Sequence, residues 1–204
     1  MNTVTCNSAP VTPSKIVCVG RNYVAHIQEL GNEIPDDMVV FIKPNSAISN
    51  TLLSSIDGEA LHYEGEIVLL IRNNNYTAVG FGIDLTRREL QSRLKTKGLP
   101  WERAKAFNGA AVFSEFVPLP DNVGSLSLQL RVEGQPRQAG GVEMMIYKPA
   151  VILSELHKFT TLEDDDLVMT GTPEGVGVIN KGELFEGAVL AGHDVLVSAS
   201  WIAQ

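Results

Sequence analysis

The chain has 204 residues, of which 44% are hydrophobic and 20% are charged, which is the composition of a folded globular protein and excludes a disordered one. Sixteen basic residues against 24 acidic ones give a net charge of −8, which argues against a protein that binds nucleic acid or a membrane surface. No apolar run approaches the ~20 residues of a membrane span, and two cysteines are too few for a disulfide framework or a four-thiolate zinc site.

The first residues are polar and carry no targeting pattern. Residues 1–13 are rich in Ser, Thr and Pro, and they lack the basic start and the apolar centre of a secretory signal. We therefore expect a cytoplasmic protein with reduced thiols, with an N-terminal extension over residues 1–14 and a single domain over residues 15–204.

The first half of the chain alternates strands with two helices. Asn22 is a residue type that caps helices, and Thr86 begins a capping box whose Glu89 stands three residues later. Gly31 and Gly98 are expected to end the two helices. We predict strands over 15–19, 39–43, 60–71 and 79–83, a turn at 73–75, and helices over 23–30 and 86–97.

The second half has many short strands separated by Gly and Pro turns. We predict strands over 126–133, 138–147, 167–170 and 195–201, one helix over 151–158, and a solvated turn at the acidic run 163–166. A regular βαβ alternation is absent, which argues against a doubly wound sheet. The pattern predicts an α+β, mostly β domain.

The strand over 60–71 carries the first candidate site. His62, Glu64 and Glu66 share one face because side chains alternate in a strand, and the apolar run that follows is typical of a covered, central strand. Two carboxylates held close in such a place cannot both ionise cheaply unless a cation lies between them, and oxygen ligands suit Mg²⁺ or Mn²⁺. The alternative is a solvated edge strand with two ordinary glutamates.

Three more groups stand near the start of the second helix. Asp84 follows the strand over 79–83, where it could cap the helix, bind the same cation, or do both. Arg88 and Gln91 follow it at spacings of four and three, so they could hold a carboxylate from one face; a surface Asp–Arg pair is the alternative. Lys105 lies among apolar and aromatic neighbours and could meet an anion if it is buried rather than exposed.

The first helix offers a candidate general base. His26 and Glu29 are three residues apart, so the carboxylate can orient the imidazole and raise its basicity. The alternative is a surface pair. The glycine-rich segment 170–177 lacks both the P-loop ending and the G-x-G-x-x-G spacing, so it indicates a tight turn and no nucleotide. No G-x-S-x-G nucleophile motif is present.

Taken together, these segments resemble the fumarylacetoacetate hydrolase family, in particular its acylpyruvate hydrolase and oxaloacetate decarboxylase branch. The resemblance runs in family order from about residue 15 to the end of the chain, and the ordered set is specific although no single motif is. The matching segments are 19–23 (VGRNY) with His26 and Glu29, 41–44 (FIKP), 62–66 (HYEGE), 82–86 (GIDLT), 97–101 (KGLPW), 104–107 (AKAF), 170–173 (TGTP) and 175–177 (GVG).

The resemblance implies a mixed β-sandwich roll, a homodimer, and a single catalytic domain over 15–204. It implies Mg²⁺ or Mn²⁺ on Glu64, Glu66 and Asp84, and a catalytic dyad of His26 and Glu29. It further implies that Lys105 acts in catalysis and that three side chains hold the oxygens of a small 2-oxo acid, namely Arg88, Gln91 and Thr172.

The implied reaction is metal-dependent cleavage of a carbon–carbon bond in an acylpyruvate, in which His26 and Glu29 activate water and an enolate of pyruvate leaves. The same site could decarboxylate or tautomerise oxaloacetate, since each route passes through an enolate. Two alternatives remain open: an isomerase or decarboxylase of dicarboxylic products of aromatic ring cleavage, and a catalytically silent metal-binding dimer.

Overall fold

The computed structural model describes residues 1–31, 33 and 35–204. Its strands are β1 (Val4–Cys6), β2 (Ala9–Val11), β3 (Lys15–Gly20), β4 (Val39–Pro44), β5 (Ile48–Ser49), β6 (Ser55–Ile56), β7 (Glu59–Ala60), β8 (His62–Arg72), β9 (Asn75–Thr86), β10 (Ala111–Phe113), β11 (Val117–Pro118), β12 (Leu126–Val132), β13 (Gln135–Gly141), β14 (Leu167–Met169), β15 (Gly177–Val178), β16 (Leu184–Ala191) and β17 (Asp194–Ile202). Its α-helices are α1 (Val24–Glu29), α2 (Arg88–Thr96), α3 (Glu102–Lys105) and α4 (Pro149–Leu156).

Two larger sheets form the body of the molecule. The nine-stranded sheet has the order β4-β3-β14-β8-β9-β10-β5, with β11 beside β9 and β15 beside β8. The four-stranded sheet, β13-β12-β16-β17, is antiparallel throughout. The larger sheet is mixed, because β14 pairs with β3 and β10 pairs with β5 in parallel. The predicted α+β, mostly β architecture is confirmed, and β8 is a central strand as predicted.

The main core lies between the two sheets. Ile67, Leu69 and Phe81 of the larger sheet pack with Leu128 and Phe185 of the smaller one. Close approach of the sheets requires glycine at position 187, because a Cβ there would overlap the ring of Phe81. The opposite face of β8 packs Val68 and Leu70 into a second core, and α4 covers a third. The curled larger sheet is therefore covered on both faces, as in a sandwich roll.

The hairpin β8–β9 consists of the two longest strands and carries the three acidic residues of the candidate site. Asn73 and Asn74 join its strands with positive φ angles of 51° and 59°, which is the backbone that two-residue hairpin turns of type I′ need and that Asn tolerates. The predicted turn is confirmed, and both strands are longer at the turn than the sequence pattern indicated. Register then places Glu64 directly opposite Asp84.

Both predicted helix caps are wrong. The N-cap of α1 is Tyr23, and the Asn22 side chain instead binds the chain across the fold, donating to the carbonyls of Tyr147 and Thr170. The N-cap of α2 is Arg87, while Thr86 ends β9 with its hydroxyl facing Lys105. In both cases a buried polar group on a neighbouring element competes successfully with the local helix end.

The acidic run 163–166 is only partly the solvated turn that the sequence indicated. Asp166 is fully buried, and its carboxylate accepts hydrogen bonds from the backbone N–H groups of Ser14, Lys15 and Glu163.

Residues 4–11 form the β1–β2 hairpin, which packs Val4, Cys6 and Val11 against the second core. Among the described helices, none is long and apolar enough to cross a membrane.

Candidate active site

Three carboxylates meet on one face of the β8–β9 hairpin. Glu64 and Glu66 point to the same side of β8 because they are two residues apart, and Asp84 reaches that side from β9. One oxygen from each lies within 4.8 Å of the others, and all three side chains are buried. Asp84 lies inside a strand, so its predicted alternative as a helix cap is wrong. The solvated edge strand is likewise excluded, because β8 is central and both glutamates are buried.

Three cations surround this acidic cluster. The Lys105 ammonium donates to Glu64 and Asp84 at 2.8 Å each, and Arg88 forms an ion pair with the other oxygen of Glu64. Lys43 Nζ lies 2.8 Å from Asp84 Oδ1 and also donates to the carbonyls of Lys105 and Ala110. Lys43 and Lys105 are buried, so of the two alternatives that the sequence left open for Lys105, the exposed one is excluded.

The charges of the cluster are unequally compensated. Burial would raise the pKa of Glu64, but Lys105 and Arg88 together hold it well below its usual range. Among the residues that the structure describes, Glu66 accepts a hydrogen bond from the Gly171 N–H alone, at 2.7 Å, and burial and the charges of Asp84 and Glu64 raise its pKa well above its usual range. Burial would lower the pKa of Lys105, yet Asp84 and Glu64 outweigh it and raise the pKa. The surroundings of Glu66 therefore favour its protonated form, and a cation bound beside it would favour the ionised form instead.

The donor set fits a hard divalent cation. Carboxylate oxygens are the ligands that Mg²⁺ and Mn²⁺ prefer, and three of them converge here from two strands. Asp84 Oδ1 is completely buried and accepts no hydrogen bond from any described residue, since its contact with Lys43 has ion-pair distance without hydrogen-bond geometry. His62 precedes the cluster but is not part of it.

The predicted dyad also has the required contact. His26 Nδ1 lies 3.3 Å from Glu29 Oε2 on helix α1, and the other oxygen of Glu29 accepts the Gly175 N–H at 3.0 Å. Burial lowers the pKa of His26, although Glu64 and Glu29 oppose this. His26 is therefore a buried, neutral imidazole at pH 7 whose Nδ1 is oriented by a carboxylate, which excludes a simple surface pair.

The glycine-rich segment wraps around the end of β8. Gly171 has a φ of 103°, and a Cβ at this position would lie 2.8 Å from Asn22, so only glycine suits it. Thr172 follows and donates to the Gly65 carbonyl at 2.9 Å. Gln138 of β13 binds both the Thr172 hydroxyl and the Gly65 N–H. The tight turn predicted from the sequence thus positions a backbone N–H on Glu66 and a hydroxyl beside the cluster.

These groups line the same cavity, whose wall is partly charged or polar and partly apolar. Every predicted site residue except Glu29 lines it. Arg88 pairs with Glu64 of β8 and donates to Gln91 at 2.9 Å, so the alternative of a surface pair between Asp84 and Arg88 is wrong. The lining residues are Val19, Gly20, Arg21, His26, Leu30, Phe41, Glu64, Glu66, Asp84, Arg88, Gln91, Lys95, Trp101, Lys105 and Thr172.

Two lysines of the cavity and the acidic cluster were not identified from the sequence as site residues. Lys43 is the one charged residue of the apolar segment VVFIK and part of the matching segment FIKP, and Lys95 is one of two lysines in the predicted helix over 86–97. A lysine within a strand that otherwise reads as buried is the signal that could have indicated an internal ion pair for Lys43.

Comparison with known proteins identifies the family. The family model described as fumarylacetoacetate (FAA) hydrolase, C-terminal, matches residues 15–202. Oxaloacetate tautomerase YcgM of Escherichia coli (strain K12) is 37% identical over 187 residues, covering 83% of this chain and 85% of that protein. The mitochondrial oxaloacetate tautomerase FAHD1 of Rattus norvegicus is 38% identical over 201 residues, covering 90% and 88%.

A solved structure has the same fold. Fumarylpyruvate hydrolase from Pseudomonas aeruginosa, determined in complex with Mn²⁺ and pyruvate, matches with a TM-score of 0.85 and 31% identity, covering 100% of this chain and 96% of that one. Sequence and fold therefore agree with the resemblance drawn from the motifs. This chain belongs to the fumarylacetoacetate hydrolase family.

Proposed function

We propose that the protein is a divalent-metal-dependent enzyme that converts a short 2-oxo acid through its enolate, with keto–enol tautomerisation of oxaloacetate as its reaction. The observation that carries the proposal is the convergence of Glu64, Glu66 and Asp84 in one cavity with the His26–Glu29 pair. Curated relatives that are 34–38% identical are named oxaloacetate tautomerases, which supports the choice of substrate.

In this proposal Glu64, Glu66 and Asp84 hold Mg²⁺ or Mn²⁺, which would supply Lewis-acid polarisation of the substrate's 2-oxo group. Nδ1 of His26 faces Glu29, which leaves Nε2 to take the proton from C3. The C–H electron pair becomes the C2=C3 double bond, the second electron pair of the C2=O bond moves onto the oxygen, and that oxygen takes a proton from water while His26 releases its own to water. Lys105 and Arg88 hold negative charge that develops on the substrate.

Hydrolysis of an acylpyruvate is the second candidate, because His26 with Glu29 also suits activation of water. The likeness to a fumarylpyruvate hydrolase supports it. In that reaction water adds to the distal carbonyl, the carbon–carbon bond breaks, and the enolate of pyruvate takes up the proton that His26 removed from the water.

Three further expectations stay predictions. They are a cytoplasmic location, a homodimer, and a single catalytic domain over 15–204 after an extension over 1–14.

The test is an assay of the purified protein with oxaloacetate, acetylpyruvate and fumarylpyruvate, each with Mg²⁺, with Mn²⁺ and after chelation. We expect loss of the oxaloacetate enol absorbance to be accelerated only when metal is present. Faster conversion of an acylpyruvate than of oxaloacetate would favour the hydrolase. Inactivity toward all three substrates would favour the silent metal-binding dimer.

The pH profile should report His26. A base must be neutral to accept a proton, so activity falls as the pH drops through the pKa of His26, which burial lowers from its ordinary value of 6.5. We expect the acidic limb of kcat/KM to lie below pH 6.5. Glu29→Gln should move it lower still, because Glu29 raises that pKa.

The control is Asp121→Asn, a change at an exposed residue, which should not move the acidic limb of the pH profile. His26→Ala should abolish proton transfer while metal binding persists. A limb above pH 6.5, or a Glu29→Gln profile identical to the wild type, would contradict the role given to the dyad.

A further inference from the structure

One face of helix α2 continues the cavity beyond the acidic cluster. Arg88, Gln91 and Lys95 are spaced by three and four residues, so they lie along one stripe, and all three line the cavity. A separate stripe, Leu90 and Leu94, packs on Ala104. At 1.5 Å per residue, the backbone of Lys95 lies about 10 Å along the helix from Arg88, which contacts Glu64.

Two aromatic rings connect the acidic cluster to Lys95. The Lys105 ammonium lies 5.3 Å from the ring centre of Phe41, and the rings of Phe41 and Trp101 are 6.1 Å apart. Lys95 Nζ lies 4.7 Å from the ring centre of Trp101. The cavity wall therefore has an ammonium group at each end. The Lys105 end is occupied by carboxylates of the protein itself.

The Lys95 end has no such compensation. Within residues 1–31, 33 and 35–204, no carboxylate forms an ion pair with Lys95. Burial and the charge of Arg21 lower the pKa of Lys95 to about 8, and the charge of Glu64 only partly opposes them. A partly buried ammonium group among other cations, at the end of a cavity, is a site that an anion would stabilise.

We propose that Lys95 binds the carboxylate at the far end of the substrate, and that it thereby selects dicarboxylic 2-oxo acids over monocarboxylic ones of the same length. Trp101 would hold the lysine in place through its ring face. The inference rests on the proposed function, because it assumes that the near carboxylate and the 2-oxo group face the Glu64–Glu66–Asp84 cluster. Lys95 is then a specificity residue.

The test uses unreactive ligands that differ only at the far end. Malate carries a second carboxylate where 2-hydroxybutyrate carries a methyl group, and oxalate engages only the metal end. Their affinities are measured by calorimetry with Mg²⁺ for the wild type, Lys95→Met, Lys95→Arg and Lys97→Met. Methionine keeps most of the stem that packs on Trp101, and Lys97 is an exposed lysine just beyond the same helix.

We expect the wild type to bind malate about 10- to 100-fold more tightly than 2-hydroxybutyrate, the range for a charge-assisted contact. Lys95→Met should lose this preference while binding oxalate as the wild type does, which also shows that the variant is folded. Lys95→Arg and Lys97→Met should keep the preference. An unchanged preference in Lys95→Met would overturn the proposal. Failure of the wild type to bind oxalate with Mg²⁺ would instead overturn the proposed function, and this inference with it.

Discussion

Glu66→Gln should weaken Mg²⁺ or Mn²⁺ binding by more than about 100-fold, beyond the loss typical of residues that only support a metal ligand. Glutamine has the same shape but no charge, so the three-carboxylate set would become a two-carboxylate set. Turnover of 2-oxo acids should fall with metal occupancy. Metal affinity is measured by calorimetry, and turnover by the loss of the oxaloacetate enol.

The same variant should leave the metal-free fold intact. Burial and the charges of Asp84 and Glu64 raise the pKa of Glu66, so its ionised form destabilises the folded protein as pH rises above the unfolded pKa of a glutamate. A glutamine side chain would carry no such cost, and its amide oxygen can still accept the Gly171 N–H. We therefore expect a metal-free melting temperature at pH 7 at least as high as that of the wild type.

The release of a proton on metal binding tests independently whether Glu66 is protonated in the metal-free protein. Because the metal-free protein favours protonated Glu66, metal binding should expel a proton from the wild type and none from Glu66→Gln, which calorimetry in buffers of different ionisation enthalpy detects. Asp121→Asn, on the surface, is the matched control. Wild-type affinity in Glu66→Gln, or turnover by it in metal-free buffer, would refute the metal site.

Side-chain alternation was enough to predict the acidic face of the site. Residues two apart on a strand share a face whatever the rest of the fold does, and so Glu64 and Glu66 could be paired from the sequence. The contact of His26 with Glu29 follows in the same way from helical spacing. Local geometry thus predicts pairs that lie within one element.

Contacts between elements needed more than local rules. Asn22, Asp84 and Thr86 each stand where a helix cap is expected, yet each serves a partner far along the chain. A cap is worth about 0.5–2 kcal/mol. Leaving a buried cation or carbonyl without a partner costs as much or more, so the tertiary contact prevails. The resemblance to the family implied that residues from different elements form one site, which the rules of local geometry could not predict.

Lys43→Met should destabilise the protein by about 3–5 kcal/mol, the cost of removing one partner of a buried ion pair, because Lys105 would compensate only the other oxygen of Asp84. Lys43 is fully buried on β4, contacts Asp84 at 2.8 Å and donates to two carbonyl groups, so methionine would fill its space but satisfy none of them. Denaturant unfolding of the metal-free protein at pH 7 measures the change.

The loss in Lys43→Met should be partly reversed by Mg²⁺ or Mn²⁺, because a cation at the cluster would supply positive charge beside Asp84 that the variant lacks. Lys158→Met is the matched control: Lys158 pairs with Glu155 on the surface, where an ion pair contributes about 0–1 kcal/mol, and metal should not affect its relative stability. If Lys43→Met were as stable as Lys158→Met, Lys43 would not be the internal counter-ion of Asp84. If metal stabilised the wild type and Lys43→Met by equal amounts, the coupling between Lys43 and the cluster would be absent.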